Sequence, residues 1–288
     1  MGSTEREIEH TLKPEHLAGC LELSQAANWN QNDADWRLML RIGRGWGITA
    51  ADGALAATTL VIPYGGRFAW VSMVLVQAGH RRKGYASRLL RTAIAHLHTH
   101  GLTPMLDATP AGHEVYLQEG FRDAWGFKRY ALTRAPGPGA DDSAWPSVRA
   151  IRNSDWPQIL ALDEPAFGAS RERLLRSLRT RLPDAALVAE RDGEMVGFLL
   201  GRDGREARQL GPLIAAEPLA ATALLAAALE RNAPPIYADI LDREPQLRGW
   251  LEARGFSLQR PFTRMLHGAG GAPGDARRVT LVAGPELG

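Results

Sequence analysis

Residues 74–86 run Val-Leu-Val-Gln-Ala-Gly-His-Arg-Arg-Lys-Gly-Tyr-Ala, an apolar β-branched stretch that breaks at a turn and enters a helical pattern. Leu89, Leu90, Ala93, Ile94 and Leu97 continue at helical spacing, so a helix begins near Gly84. The first amides of such a helix have no intrahelical partner, and with the dipole they attract an anion lying across the turn. Gly84 lets the anion approach the backbone, Ala86 adds little bulk, and Arg81, Arg82 and Lys83 supply positive charge at the mouth. A pyrophosphate suits this turn. A solvated basic helix start carries the same residues, so the turn by itself leaves both readings open.

The spacing Arg81-x-x-Gly84-x-Ala86 after a strand resembles the acetyl-CoA signature of the GNAT N-acetyltransferases. Downstream, Met105-Leu-Asp-Ala-Thr-Pro-Ala-Gly-His-Glu-Val-Tyr-Leu-Gln-Glu-Gly-Phe121 is similar to the second signature of that family, a strand, a short helix carrying Tyr116, then Gly120-Phe121. The two motifs stand in the family's order over about residues 5 to 133. The resemblance implies an α/β fold with a mixed sheet and acetyl-CoA as co-substrate, with acetyl transfer to an amine.

On that resemblance the backbone of Val74, Leu75 and Val76 would align the pantetheine arm as an added strand. The amides of about Arg82 to Ser87, Tyr85 included, would hold the pyrophosphate. Tyr116 would protonate the departing thiolate, since a phenol near pKa ~10 can donate to a thiolate whose conjugate acid lies at about 8 to 9; its bland alternative is an amphipathic cap on the core. The general base is open. The strand Trp70-Val-Ser-Met-Val carries no carboxylate. Asp107 and His113 are candidates, against readings of Asp107 as a helix cap and His113 as a solvated residue, and water could relay the proton instead. Trp29, Asn30 and Gln31, with Trp70, are candidates to contact the acceptor; the competing reading makes Asn30 or Asn32 a helix N-cap and Trp29 a hydrophobic staple. His96, His98 and His100 alternate at i and i+2, which point apart on a helix, so no metal site is expected.

The elements that must position these groups follow from periodicity and turn chemistry. Ile8–Leu12 reads as a strand, Pro14 to about Ala27 and a segment from Asp33 as helices, and 47–51 and 54–62 as strands joined by Asp52-Gly53. Phe68–Val76 is the strand that delivers the chain to the turn; Pro104–Ala108, a Tyr116 helix and Trp125–Leu132 complete the unit. Residues 134–146 have linker composition. The chain then repeats itself: Gly120-Phe121, Phe127 and Arg129 are echoed by Gly255-Phe256, Phe262 and Arg264, and Leu89-Leu90 by Leu224-Leu225. This is the pattern of a divergent internal duplication. The second copy has Ala216-Glu217-Pro218-Leu219-Ala220 where the first has its anion turn, and Leu251 in place of Tyr116. It lacks glycine and basic residues there and should hold no acetyl-CoA. Phrases such as Leu210-Gly-Pro-Leu-Ile214 resemble the C-terminal domain of two-domain GNAT proteins.

The expected organisation is a pair of tandem GNAT folds: 1–133 binding acetyl-CoA, a linker at 134–146, a degenerate unit at 147–268, and a Gly-rich tail at 269–288 in which 279–282 either docks as a late strand or stays disordered. The 288 residues carry a net charge of +2, too small for a polyanion-binding surface over the whole molecule, so nucleic acid is not an expected partner. A single cysteine, Cys20, precludes an internal disulfide and suits a reducing, cytoplasmic compartment. The start has no apolar leader, and the Ala/Leu-rich stretch 213–229 is interrupted by Glu217 and Pro218, so no membrane span is expected. The function expected is N-acetylation of a small primary amine; the alternatives are a non-catalytic acetyl-CoA-binding regulator and a protein or peptide N-acetyltransferase. Sequence leaves monomer and homodimer equally open.

Overall fold

The structure, a computed structural model, describes residues 7–137 and 145–288. Most of the expected linker, residues 138–144, therefore lies outside the described residues. In chain order the first half forms β1 (Ile8–Thr11), α1 (Leu17–Ala26), α2 (Asp33–Ile42), β2 (Arg44–Thr49), β3 (Leu55–Tyr64), β4 (Phe68–Val76), α3 (Tyr85–Thr99), β5 (Thr103–Ala108), α4 (Pro110–Gln118) and β6 (Phe121–Leu132). The second repeats the succession with β7 (Ser147–Ala150), α5 (Trp156–Phe167), α6 (Glu172–Arg181), β8 (Leu187–Arg191), β9 (Glu194–Arg202), β10 (Arg208–Ala215), α7 (Pro218–Arg231), β11 (Ile236–Leu241), α8 (Pro245–Ala253) and β12 (Ser257–His267), then adds β13 (Val279–Leu281). Local chemistry sets the boundaries. Asn32 caps α2 by accepting from the Asp35 amide while Asp35 accepts from the Asn32 amide, a reciprocal box. Gly53, at φ +84°, turns the β2–β3 hairpin.

The thirteen strands among the described residues join one mixed sheet in the order β1-β2-β3-β4-β5-β12-β6-β11-β13-β10-β9-β8-β7. The halves have exchanged their last long strands. β12 of the second half lies between β5 and β6, and β6 lies between β12 and β11. At the centre of the exchange Phe127 pairs with Phe262, their rings stacked with centroids 5.0 Å apart. On either side stand two buried ion pairs in the same relation to this centre: Arg129 of β6 grips Asp239 of β11 through two bonds of 2.7 Å, and Arg264 of β12 grips Asp107 of β5 through two of 2.9 Å. The repeated Phe and Arg of the sequence are thus the residues that join the halves. Removing one member of such a pair strands a buried charge and costs about 3–5 kcal/mol.

Both halves contain a wedge. β4 pairs in parallel with β5 only from Phe68 to Trp70, and β10 with β11 only from Arg208 to Leu210; beyond those residues the strands diverge. In the second half β13 fills the gap, with Leu281 opposite both Leu213 and Ile240. In the first half no strand among the described residues lies between β4 and β5. Of the two alternatives for the tail, the structure shows the late strand, and it closes one wedge of the pair. One core cluster, running from Leu12 and Trp36 through Phe127 and Phe167 to Leu287, draws on both halves.

Candidate active site

β4 brings the chain to the open wedge with a local irregularity. Its register against β3 shifts between Thr58 and Leu60, and Met73 takes φ +53°, a conformation that costs a non-glycine residue about 1–2 kcal/mol. Thr58 Oγ1 donates to the Met73 carbonyl at 2.8 Å and fixes the bulge. The strand ends at Val76. After a short 3-10 turn, Gly84 caps α3 at φ +80°, where an added Cβ would meet no protein atom within 4 Å. Arg81, Arg82, Lys83 and Gly84 are exposed, and the amides of Arg82, Lys83 and Gly84 have no backbone partner among the described residues. Arg82 also lies in the left-handed region, at φ +62°. Leu89, Leu90, Ala93, Ile94 and Leu97 bury the opposite face of α3. The Tyr85 side chain belongs to that core and its hydroxyl donates to Glu7, so only its backbone, with Ala86 and Ser87, belongs to the turn.

A cleft of about 490 Å³, its open mouth included, lies beside the β4 bulge and brings together residues far apart in sequence. Trp29, Gln31, Val74 and Tyr116 line it, joined by Ser72, Met73 and Thr109 from the first half and by Arg260, Phe262, Pro285 and Glu286 from the second. Tyr116 is set by packing: its ring meets Phe121 edge-on at 6.0 Å, and a Cβ on Gly112 would come within 2.9 Å of it. Burial pushes its phenol up to about 12, so it stays protonated through the neutral range.

Other expected residues serve the framework. Asp107 is fully buried, and both its oxygens accept from Arg264, which is itself sandwiched between Trp70 and Trp125. Burial pushes its carboxyl up to about 6 against the pull of Arg264. Asp107 does not line the cleft. His113 pairs with Asp123 at 2.7 Å on the surface, also away from the cleft. Trp70 is wholly buried, and its indole donates to the Pro285 carbonyl at 2.9 Å. Asn30 reaches the cleft wall, but its side chain is committed elsewhere: Nδ2 donates to Ala207, and Oδ1 accepts from the amides of Glu206 and Ala207.

Glu286 had no signal in the sequence beyond a lone acid in a Gly/Pro-rich end. It is 3% exposed, and Arg202, buried between Asp35 and Glu286, donates to one of its oxygens. Its Oε2, Gln31 Oε1 and Ser72 Oγ are buried without a hydrogen-bond partner among the described residues, and all three residues line the cleft. Among the described residues no group of three or more His, Cys, Asp or Glu could hold a metal, and no helix is long and apolar enough to cross a membrane.

A strand edge opened by a bulge, a left-handed glycine at a basic helix start and a tyrosine in the adjoining cleft define an acyl-CoA N-acyltransferase fold. The chain belongs to the GNAT superfamily as a two-domain member: the acetyltransferase (GNAT) family model matches residues 7–121, and a second acetyltransferase (GNAT) domain model matches residues 159–280. An uncharacterized N-acetyltransferase of Bacillus subtilis strain 168, YitH, is 24% identical over 247 residues, 85% of this chain and 86% of its own. A proposed acetyltransferase of Pyrococcus horikoshii shares the fold with a TM-score of 0.80 at 18% identity, over 100% of this chain and 98% of its own. A tandem GNAT protein from the clavulanic acid biosynthesis pathway does so at 0.60 and 14% identity, over 92% and 99%.

Proposed function

We propose that the protein transfers the acetyl group of acetyl-CoA to a primary amine of a small molecule, by direct attack in a ternary complex, in the first-half cleft alone. The observation that carries the reading is the open edge of β4 beyond Trp70, which runs to the free amides at Gly84 and shares its cleft with Tyr116. The residues fit the co-substrate. The backbone of Val74 to Val76 would take the pantetheine arm as an added strand, and the amides from Arg82 to Ser87, with the charges of Arg81, Arg82 and Lys83, would take the pyrophosphate. When bound, acetyl-CoA supplies an activated thioester carbonyl and a thiolate leaving group.

The acceptor would meet Trp29, Gln31 and Ser72, which line the same cleft. Glu286 Oε2, with a lone pair to spare, takes the proton that an ammonium must lose before its nitrogen can attack. Attack forms the C–N bond, and collapse breaks C–S. The sulfur takes a proton from the Tyr116 hydroxyl, and the nitrogen's remaining surplus proton restores Tyr116 through solvent. A phenol at about 12 gives its proton to a thiolate only as that replacement arrives, so Tyr116 works as a hydrogen-bond donor that completes the transfer late. On this reading Asp107 and His113 are framework residues.

Mass spectrometry of a panel of amines incubated with the protein and acetyl-CoA tests the proposal. Acetylated small amines are expected. Saturable acetyl-CoA binding with no product across the panel would favour a regulator, and modification of peptide amines alone would favour a peptide acetyltransferase.

A further inference from the structure

The acceptor end of the cleft carries two kinds of unspent bonding capacity. Among the described residues two buried acceptors, Glu286 Oε2 and Gln31 Oε1, have no donor, and the Ser72 hydroxyl beside them on the cleft wall has neither donor nor acceptor. A buried polar atom without a partner is costly, and this set calls for a ligand with several N–H groups. The second kind is cationic. Arg129 and Arg260 stand opposite each other on β6 and β12, and Asp239 is spent on Arg129 through both its oxygens. Arg260, half-buried on the cleft wall, makes no hydrogen bond to a carboxylate among the described residues; burial and the neighbouring Arg129 both disfavour its charge. A buried-side arginine of this kind accommodates a planar anion in a bidentate grip.

Resting on the acetyl-transfer reading, we infer that the acceptor is a free α-amino acid, its ammonium group at Glu286, Gln31 and Ser72 and its carboxylate at Arg260. The cleft then receives one positive and one negative group and gains no net charge. Trp29, Met73 and Phe262 also line the cleft, which favours an apolar side chain. Amino sugars and polyamines, which bring no anion, leave Arg260 unmatched.

The test uses the full-length protein, acetyl-CoA and the α-amino acids, each beside its own carboxamide and its decarboxylated amine. At least one apolar amino acid should exceed its amide in kcat/KM by about 10- to 100-fold, the worth of a charge-assisted bond. In Arg260→Met that ratio should fall to within a factor of about two, with the affinity for acetyl-CoA unchanged. Glu286→Gln should weaken amino acid and amide in step, because both carry the ammonium. Amides or simple amines acetylated as well as amino acids would overturn the inference, as would a ratio that survives Arg260→Met, or a loss of acetyl-CoA affinity in that variant equal to its loss of rate. If no amine is acetylated, the enzyme reading fails by itself. Thermal-shift titrations of the same pairs still decide the recognition, a shift with the amino acid but not its amide supporting it and equal shifts refuting it. Should Glu286→Gln not fold, competition by the isosteric hydroxy acid against the amino acid on the unmodified protein reads the ammonium site: binding at least about tenfold weaker is expected, and equal binding refutes it.

Discussion

Replacing Gly84 by alanine separates two roles that glycine combines at this turn. The residue caps α3 at φ +80°, a conformation that costs an L-residue about 1–2 kcal/mol. The added methyl would meet no protein atom within 4 Å, so no clash adds to that cost. For a chain of this size the melting temperature should therefore fall by only a few degrees. On the proposed reading the methyl instead takes up open space beside the free amides that would hold the pyrophosphate. Losing one charge-assisted bond there is worth about 1.5–3 kcal/mol, so the dissociation constant for acetyl-CoA should rise roughly 10- to 150-fold. Calorimetric titration of the folded variant, beside a thermal melt, reads both numbers. Arg82→Gly is the counterpart: it relieves a left-handed non-glycine residue at φ +62° and should stabilise the fold by roughly 0.5–1 kcal/mol, while losing one cradle charge should still weaken acetyl-CoA binding, so that stability and affinity move in opposite directions. A folded Gly84→Ala protein that binds acetyl-CoA within twofold of the original would place the anion elsewhere and refute the reasoning.

Tyr116→Phe should lower kcat by about 100- to 10,000-fold with acetyl-CoA affinity nearly unchanged, because the phenol acts on the leaving group; single-turnover kinetics within a factor of two of the original would reduce Tyr116 to packing. A fragment ending at residue 146 should not fold, since β5 and β6 would lose β12 and β11 and Asp107 would lose Arg264; a cooperative melt of that fragment would contradict the exchange. Burial pushes the Cys20 thiol up to about 12 from its ordinary value of 9.0, so at pH 8 the native protein should hold about a thousandfold less thiolate than the unfolded chain. Iodoacetamide should label it only in denaturant. By the same linkage, the stability tied to Cys20 is complete below about pH 9 and is lost as pH rises toward 12.

What the sequence made legible was local. Phe68–Val76 and the start of α3 follow from a β-branched run, a turn and an apolar face at helical spacing, all within thirty residues. Tyr116, Trp29 and Gln31 do share one cleft. The rest depends on partners remote in the chain. Asp107 sits at the end of a strand, as a base would, but its charge is taken by Arg264, 157 residues away, and no periodicity encodes that register. Asn30 satisfies itself on Ala207, 177 residues away. Trp70 is drawn inward by Arg264 and the Pro285 carbonyl. The duplication was visible as repeated residues, yet not that Phe127 and Phe262 stack on each other, because an exchanged strand and a retained one have the same sequence. Glu286 becomes legible only once β13 has fixed where the last residues go.

β13 also determines what the degenerate half responds to. A segment tethered to β12 through residues 268–278 competes for its wedge at an effective concentration, of millimolar order for short connections, that does not vary with the supply of any metabolite. In the structure the second wedge is filled by the chain's own strand. Because the same chain runs on from Leu281 to Glu286, the strand that fills the second wedge also sets the carboxylate on the wall of the first cleft, so on the proposed reading that carboxylate would need no bound co-substrate to be in place.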